Sequence, residues 1–101
     1  MEISNQIARI CKVLSVDTRV KIVQMLNGQA LCVRAIAARL DISESAVSQH
    51  LRILRDVDLV IPDKRGYWVH YQVNPETLEK WKEVMEGIFA QQKQEKMGAV
   101  S

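Results

Sequence analysis

The chain has 101 residues, of which 48% are hydrophobic and 26% are charged, a composition typical of one globular domain and not of a disordered segment. Its apolar runs are too short to span a membrane, and its N-terminus lacks the basic and apolar regions of a secretory signal, so we expect a cytoplasmic location. The formal net charge of +2 is too small to attract a polyanion by bulk charge. Any nucleic-acid binding must therefore come from local placement of side chains, or from two copies acting together.

The first part of the chain predicts three helices. The first helix is amphipathic, because its apolar residues recur at steps of four, three and four: Ile3, Ile7, Ile10 and Leu14. Asp17 opens a second helix, which runs over residues 19–26, is apolar on most sides and ends at the Asn27-Gly28 pair. A third, short helix is expected at about residues 34–40.

A tight turn separates this third helix from a fourth. Asp41 is one of the few non-glycine residues that tolerates a left-handed backbone, and Ser43 is a suitable N-cap for a helix that ends near Val57. The inward stripe of the fourth helix consists of Val47, Leu51 and Leu54. Two helices joined in this way predict a helix-turn-helix.

Two strands and a last helix follow. Residues 59–61 and 67–73 predict strands around a polar turn at residues 62–66, and Asn74 starts a fifth helix that ends near Phe89. The predicted fold is mainly α with a small β-hairpin, a winged helix-turn-helix of five helices and a two-stranded wing. We assign residues 1–92 to one DNA-binding and dimerisation domain and residues 93–101 to a flexible tail.

The outward face of the fourth helix carries the first candidate site. Hydroxyl, amide and guanidinium groups recur there at i, i+3, i+4 and i+7, with no carboxylate among them: Ser45, Ser48, Gln49 and Arg52. Gln49 can pair with adenine and Arg52 with guanine or phosphate, and small serines let the helix approach the duplex. The N-cap Ser43 joins the predicted DNA contacts. The alternative interpretation is an ordinary solvated polar face.

The wing and one histidine supply further candidates. Lys64, Arg65 and Tyr67 crowd the predicted hairpin tip, where a basic and aromatic surface suits a minor groove or phosphates; the alternative is an ordinary polar turn. His50 is expected to be a packed, hydrogen-bonded residue near the DNA backbone and not a metal ligand, because no partner lies at ligand spacing.

The two terminal helices predict a dimer. Their apolar stripes are too large for so small a core, so we expect them to pack against a second copy through Ile3, Ile7, Ile10, Leu78, Trp81, Met85 and Ile88. Such a dimer would place two fourth helices about one DNA turn apart, as a palindrome requires. The alternative is a monomer whose terminal helices fold back on their own core.

The segment LCVRAIAARLDISESAVSQHLRILRDVDLVIPDKRGYWVHYQV, residues 31–73, resembles the core of the ArsR/SmtB transcriptional repressors. The shared motifs are the Leu-Cys-Val start of the third helix, the Ser-x-Ser-x-Val-Ser-x-His-Leu helix and the basic wing that ends in tyrosine. The resemblance implies a winged-helix homodimer that binds a palindromic operator and represses transcription, often until an inducer binds. Two family metal sites are absent: Cys32 has no second cysteine two residues later, and residues 75–94 contain neither His nor Asp.

Cys11 and Cys32 are weak candidates for a thiol sensor of a soft metal or an oxidant, since some family members bridge these two regions between subunits. The alternative, which we favour, is that both are small buried apolar residues, so no metal or cofactor is assigned.

The sequence therefore predicts a DNA-binding transcriptional repressor that acts as a homodimer on double-stranded DNA. An alternative function is a winged-helix protein-interaction module without specific DNA binding. An enzyme is not expected, because the sequence has no Ser-His-Asp set, paired carboxylate, glycine-rich phosphate loop or metal cluster. The operator, the regulated genes and the inducer do not follow from the sequence.

Overall fold

The computed structural model describes residues 2–90, so the predicted tail at residues 93–101 lies outside the described residues. Five helices and three strands follow one another along the chain: α1 (Ile3–Val13), α2 (Asp17–Leu26), β1 (Leu31–Cys32), α3 (Val33–Leu40), α4 (Glu44–Asp56), β2 (Val60–Arg65), β3 (Trp68–Val73) and α5 (Pro75–Phe89). All five predicted helices are confirmed. Among the described residues, no helix is long and apolar enough to cross a membrane.

The core lies where α2, α3 and α4 pack against the start of β2. Its fully buried side chains come from every one of these elements: Ile22, Leu26, Ile36, Val47, Leu51, Leu54, Leu59 and Val60. Each such aliphatic side chain stabilises the fold by about 1.5–3 kcal/mol on burial. The predicted inward stripe of α4 is confirmed, and its burial fixes which face of that helix remains in solvent.

The turn between α3 and α4 is fixed by one left-handed residue and by three hydrogen bonds. Asp41 adopts φ +54, and the backbone N–H groups of Asp41 and Ile42 both donate to the carbonyl of Ala37. The Ser43 hydroxyl accepts a hydrogen bond from the Ala46 N–H at 3.0 Å. These contacts satisfy backbone groups that a helix end otherwise leaves unpaired, and they confirm the left-handed Asp41 and the N-cap Ser43.

The sheet differs from the prediction in two respects. It has three antiparallel strands in the order β1-β3-β2, because Leu31 and Cys32 pair with Tyr71 and His70. The wing is also longer than expected, since β2 continues through the segment predicted to be a turn, and the loop contains only Gly66 and Tyr67. Pro62 is compatible with this strand because β2 lies at the sheet edge, where a residue without an N–H loses no ladder bond.

Hydrogen bonds at helix ends also define where α4 ends before the wing and where α5 begins after it. Asp58 adopts φ +60 just after α4. The Asp58 N–H donates to the carbonyl of Arg55, and the Leu59 N–H donates to the carbonyl of Leu54. Asn74 caps α5 by accepting a hydrogen bond from the Glu76 N–H at 3.1 Å. α5 then packs against α1, so the first and last helices of the chain lie side by side.

Candidate nucleic-acid interface

The outward face of α4 is a continuous polar strip in solvent. Four residues, here called the recognition stripe, are all exposed: Ser45, Ser48, Gln49 and Arg52. Val47, Leu51 and Leu54 on the opposite face are at most 1% exposed. Because α4 is the second helix of the helix-turn-helix and its apolar side is fixed in the core, the stripe points away from the domain. The structure therefore brings together the four side chains that the spacing predicted to share a face.

Ser43 stands at the N-terminal end of this stripe. Its hydroxyl is exposed but already accepts the Ala46 N–H, so it acts first as the cap of α4. Its hydroxyl proton remains available as a donor to an acceptor such as a phosphate oxygen. Glu44 follows it in the first turn, where a carboxylate is favoured by the helix dipole.

His50 is placed differently from the recognition stripe. It is half-buried, and its Nδ1 is buried with no hydrogen-bond partner within residues 2–90, so the expectation of a hydrogen-bonded histidine is wrong for that atom. Burial, followed by the nearby positive charge of Arg19, lowers the pKa of His50 below 6.5. The Arg19 Nε is likewise buried and unpartnered in the described part of the chain. His50 therefore favours its neutral form, at a half-buried position of α4 near the charge of Arg19.

The tip of the wing exposes the predicted basic and aromatic side chains. Tyr67 is fully exposed, and Lys64 and Arg65 are exposed beside it on the last residues of β2. The Arg65 Nε forms an ion pair with Asp63 Oδ2 at 3.1 Å, which orients the guanidinium along the strand. Trp68, 56% exposed, also belongs to this surface and was not predicted as a site residue. In the sequence, its position next to Tyr67 indicated that Trp68 could share this surface.

A polar cleft of about 470 Å³ connects α4 to the centre of the wing. Ser48 and Arg52 of the recognition stripe line it together with Arg55, Asp56 and Tyr71. Neither Arg55 nor Tyr71 was predicted as a site residue. Arg55 follows Ser48 by seven residues and Arg52 by three, so the helical period places it on the same flank of α4. Tyr71 becomes a neighbour only because β3 is the central strand, which no local pattern shows.

The residues predicted to form the dimer interface do not all face solvent. Ile10 is only 4% exposed in the single chain, and Leu78 and Trp81 are partly buried against the core, so these three residues offer little free surface to a second copy. The reason is that α5 covers α1 within the same chain. Ile7 and Met85 are half-buried, whereas Ile3 is 60% and Ile88 is 47% exposed. Phe89, 78% exposed, extends this surface and was not predicted.

The two cysteines lie in different environments. Cys11 is exposed on α1, so the expectation that both thiols are buried is wrong for this residue in the single chain. Cys32 is half-buried in β1, where it pairs with His70 and precedes α3. Within residues 2–90, no group of three or more His, Cys, Asp or Glu side chains is arranged to hold a metal ion.

A helix-turn-helix followed by a β-hairpin wing, with a polar outward face on its second helix, defines the winged helix-turn-helix class. The family model of the bacterial regulatory proteins of the arsR family matches residues 17–61, which include the whole turn and all of α4. The cadmium resistance transcriptional regulatory protein CadC homolog of Staphylococcus aureus is 34% identical over 89 residues, which cover 87% of this chain and 71% of that protein. The chain therefore belongs to the ArsR family.

Two other similarities agree with this assignment. The arsenical resistance operon repressor of Escherichia coli K12 is 38% identical over 68 residues, 66% of this chain. That alignment spans only 58% of the repressor's own length. The solved structure of an ArsR-like transcriptional regulator from Rhodococcus sp. RHA1 superposes with a TM-score of 0.78 at 27% identity, over 96% of this chain and 91% of that one. The family is one of regulatory proteins, in agreement with the expectation that the chain is not an enzyme.

Proposed function

We propose that the chain is a cytoplasmic transcriptional repressor that binds a palindromic operator as a homodimer. The recognition stripe is the observation that carries this proposal. A major groove presents donors and acceptors on its base edges, and the stripe offers hydroxyl, amide and guanidinium groups without a carboxylate to repel phosphates. Gln49 pairs with an adenine edge, Arg52 with a guanine edge or a phosphate, and the two serines keep the helix backbone close to the DNA.

The wing and the cleft extend this contact beyond the stripe. Lys64 and Arg65 reach the phosphates or the minor groove next to the site of α4, with Tyr67 and Trp68 exposed beside them. Arg55 and Tyr71 line the cleft between α4 and β3, where their guanidinium and phenol groups suit a backbone phosphate. Phosphate contacts of this kind fix the orientation of α4, whereas the stripe reads the bases.

A two-fold homodimer is the arrangement that the exposed apolar ends of α1 and α5 favour. Ile3, Ile88 and Phe89 are large, apolar and exposed, and they lie on α1 and α5, which pack side by side. Packing these side chains against a second copy removes them from water and relates two recognition stripes by a two-fold axis. A two-fold protein binds a palindrome, with half-sites about one helical turn apart.

The test is a selection of bound fragments from a random DNA pool, followed by an affinity measurement on the selected sequence and by transcription in vitro. A palindromic consensus, and less transcript from a promoter that contains it, support the proposal. An Arg52→Ala chain should lose about 1–3 kcal/mol of specific affinity, whereas the matched control Lys82→Ala, which removes a charge from the exposed side of α5, should lose little. Recovery of no consensus would favour the protein-interaction module, and more transcript would favour an activator.

A further inference from the structure

Arg19 lies on the face of α2 that packs into the core. Ile22 and Leu26, three and seven residues further along the helix, share that face and are fully buried. Arg19 itself is half-buried, and its Nε is shielded from water without a hydrogen-bond partner in the described part of the chain. The one acidic residue of α2, Asp17, pairs with Lys21 at 3.0 Å. Arg19 is therefore a partly desolvated cation for which the described residues supply no ion pair.

His50 stands at the facing edge of α4, which packs against α2. It borders the buried stripe of α4, with Val47 three residues before it and Leu54 four residues after it. Burial, and then the charge of Arg19, lowers the pKa of His50, which places the guanidinium close to the imidazole. The buried Nδ1 has no partner among residues 2–90. Because a buried N–H without an acceptor is less tolerated than an unpaired lone pair, the neutral ring carries its proton on Nε2.

The place of His50 on α4 connects this pair to the DNA-binding surface. His50 directly follows Gln49 of the recognition stripe. At 3.6 residues per turn, His50 and Arg55 each lie about 70° from the buried stripe of α4, on opposite sides of it. A helix in the major groove has a phosphate backbone on each of its two sides. Arg55 therefore faces one backbone, and His50 with Arg19 faces the other.

We propose that Arg19 and His50 together hold one phosphate of the DNA backbone, on the side of α4 opposite to Arg55. The terminal N–H groups of the guanidinium and the Nε2–H of the imidazole donate to its oxygens, and the phosphate charge neutralises Arg19. This inference rests on the proposed function, and it adds α2 to the DNA-binding surface. Phosphate contacts on both sides of α4 fix the rotation of the helix about its own axis, and so determine which base edges the recognition stripe reaches.

The experiment uses the full chain and the selected operator, with one methylphosphonate placed at each backbone position of a half-site in turn. A methylphosphonate removes one negative charge and leaves the base sequence unchanged. We expect one position at which it weakens wild-type binding about tenfold or more, as for the loss of hydrogen bonds to a charged group. At that position, Arg19→Gln and His50→Phe chains should lose less than about twofold, because the contact is already absent. An Arg55→Ala chain should keep the full wild-type sensitivity there.

Lys21→Gln is the matched control for Arg19→Gln. It also removes one positive charge from α2, but from an exposed ammonium group that already pairs with Asp17. Arg19→Gln should reduce the slope of log affinity against log salt by about 1.8 in a dimer, about 0.9 for each lost contact, and Lys21→Gln should leave it unchanged. Equal slopes would overturn the inference. Urea unfolding shows which variants fold, and His50→Phe, which keeps a planar ring, tests the same phosphate if Arg19→Gln does not fold.

The two proposals fail in different ways. Operator binding in which Arg19→Gln keeps the wild-type sensitivity to every methylphosphonate overturns this inference and leaves the proposed function intact. So does an Arg19→Gln chain with a weaker homodimer in the absence of DNA and an unchanged methylphosphonate pattern, since a carboxylate of a second copy would then hold Arg19. Selection of no DNA sequence overturns the proposed function. The salt slopes of Arg19→Gln and Lys21→Gln on a random duplex then still test the phosphate contact, and equal slopes would contradict it.

Discussion

Ser43 caps α4 and is also a proposed DNA contact, and substitution can separate the two roles. Its hydroxyl caps α4 through a 3.0 Å hydrogen bond from the Ala46 N–H, and it also stands at the end of the recognition stripe. Ser43→Ala removes the cap oxygen and should lower the free energy of unfolding by about 1 kcal/mol, the usual value for loss of an N-cap. Water can reach the exposed site and solvate the freed N–H, so we do not expect a larger loss. For a domain of this length, 1 kcal/mol corresponds to a decrease in Tm of about 4–8 °C.

Ser43→Asp is the matched variant. Its carboxylate preserves a cap oxygen and favours the helix N-terminus, so the free energy of unfolding should stay within about 0.5 kcal/mol of the wild-type value. The same negative charge should repel the DNA backbone and weaken operator binding more than Ser43→Ala does. Urea unfolding and operator titration at one protein concentration measure the two effects. A Ser43→Ala chain as stable as wild type, or a Ser43→Asp chain that binds DNA as tightly, would refute the reasoning.

Substitutions at three further positions test separate parts of the structure. Arg55→Ala should reduce the slope of log affinity against log salt by about 1.8 in a dimer, because each lost phosphate contact accounts for about 0.9; an unchanged slope would remove Arg55 from the interface. The lowered pKa of His50 means that the unfolded chain binds its proton more readily, so the contribution of His50 to stability is complete above pH 6.5 and falls as the pH decreases below it. Unfolding of a His50→Gln chain in urea should show a smaller loss of stability below pH 6.5, and a loss equal to that of wild type would contradict the assignment. Asp58 has φ +60, so Asp58→Val should cost about 1–2 kcal/mol and Asp58→Gly should cost less; equal losses in thermal unfolding would show that the left-handed backbone is not the cause.

The helices and the recognition stripe were predictable because their signals are local. Asp41, Ser43 and Asn74 mark helix ends through the backbone conformations and hydrogen bonds that their own side chains permit, and the structure shows those features in place. The stripe followed from a period of 3.6 residues along a single helix. Neither conclusion needed knowledge of which elements are neighbours in space.

The wing could not be predicted in the same way. Pro62 and Asp63 are typical of a turn, yet they pair with Tyr71 and His70 because the ladder extends along an edge strand. The strand β1 has only two residues, and it forms because Leu31 and Cys32 reach the other side of β3. Such long-range pairing overrides local propensity, and it also places Tyr71 in the cleft beside Arg55.

The apolar stripes of the terminal helices show a related limit. Periodicity showed that Ile10 and Ile88 lie on apolar faces, but it did not show which element covers each face. The structure buries Ile10 beneath α5 and leaves Ile88 in solvent. The difference arises from the packing of α1 against α5 in one chain, and only the uncovered end of that surface is available to a second copy.

The most direct test of the central claim is the ratio of specific to non-specific DNA affinity for Gln49→Ala, measured at one salt concentration. If the recognition stripe reads base edges, this ratio should fall about 5- to 150-fold per half-site, the equivalent of about 1–3 kcal/mol. Gln24→Ala, which changes an exposed glutamine of α2, should leave the ratio unchanged. A Gln49→Ala chain that discriminates its operator as well as wild type would contradict the account, because the outward face of α4 would then not read the sequence.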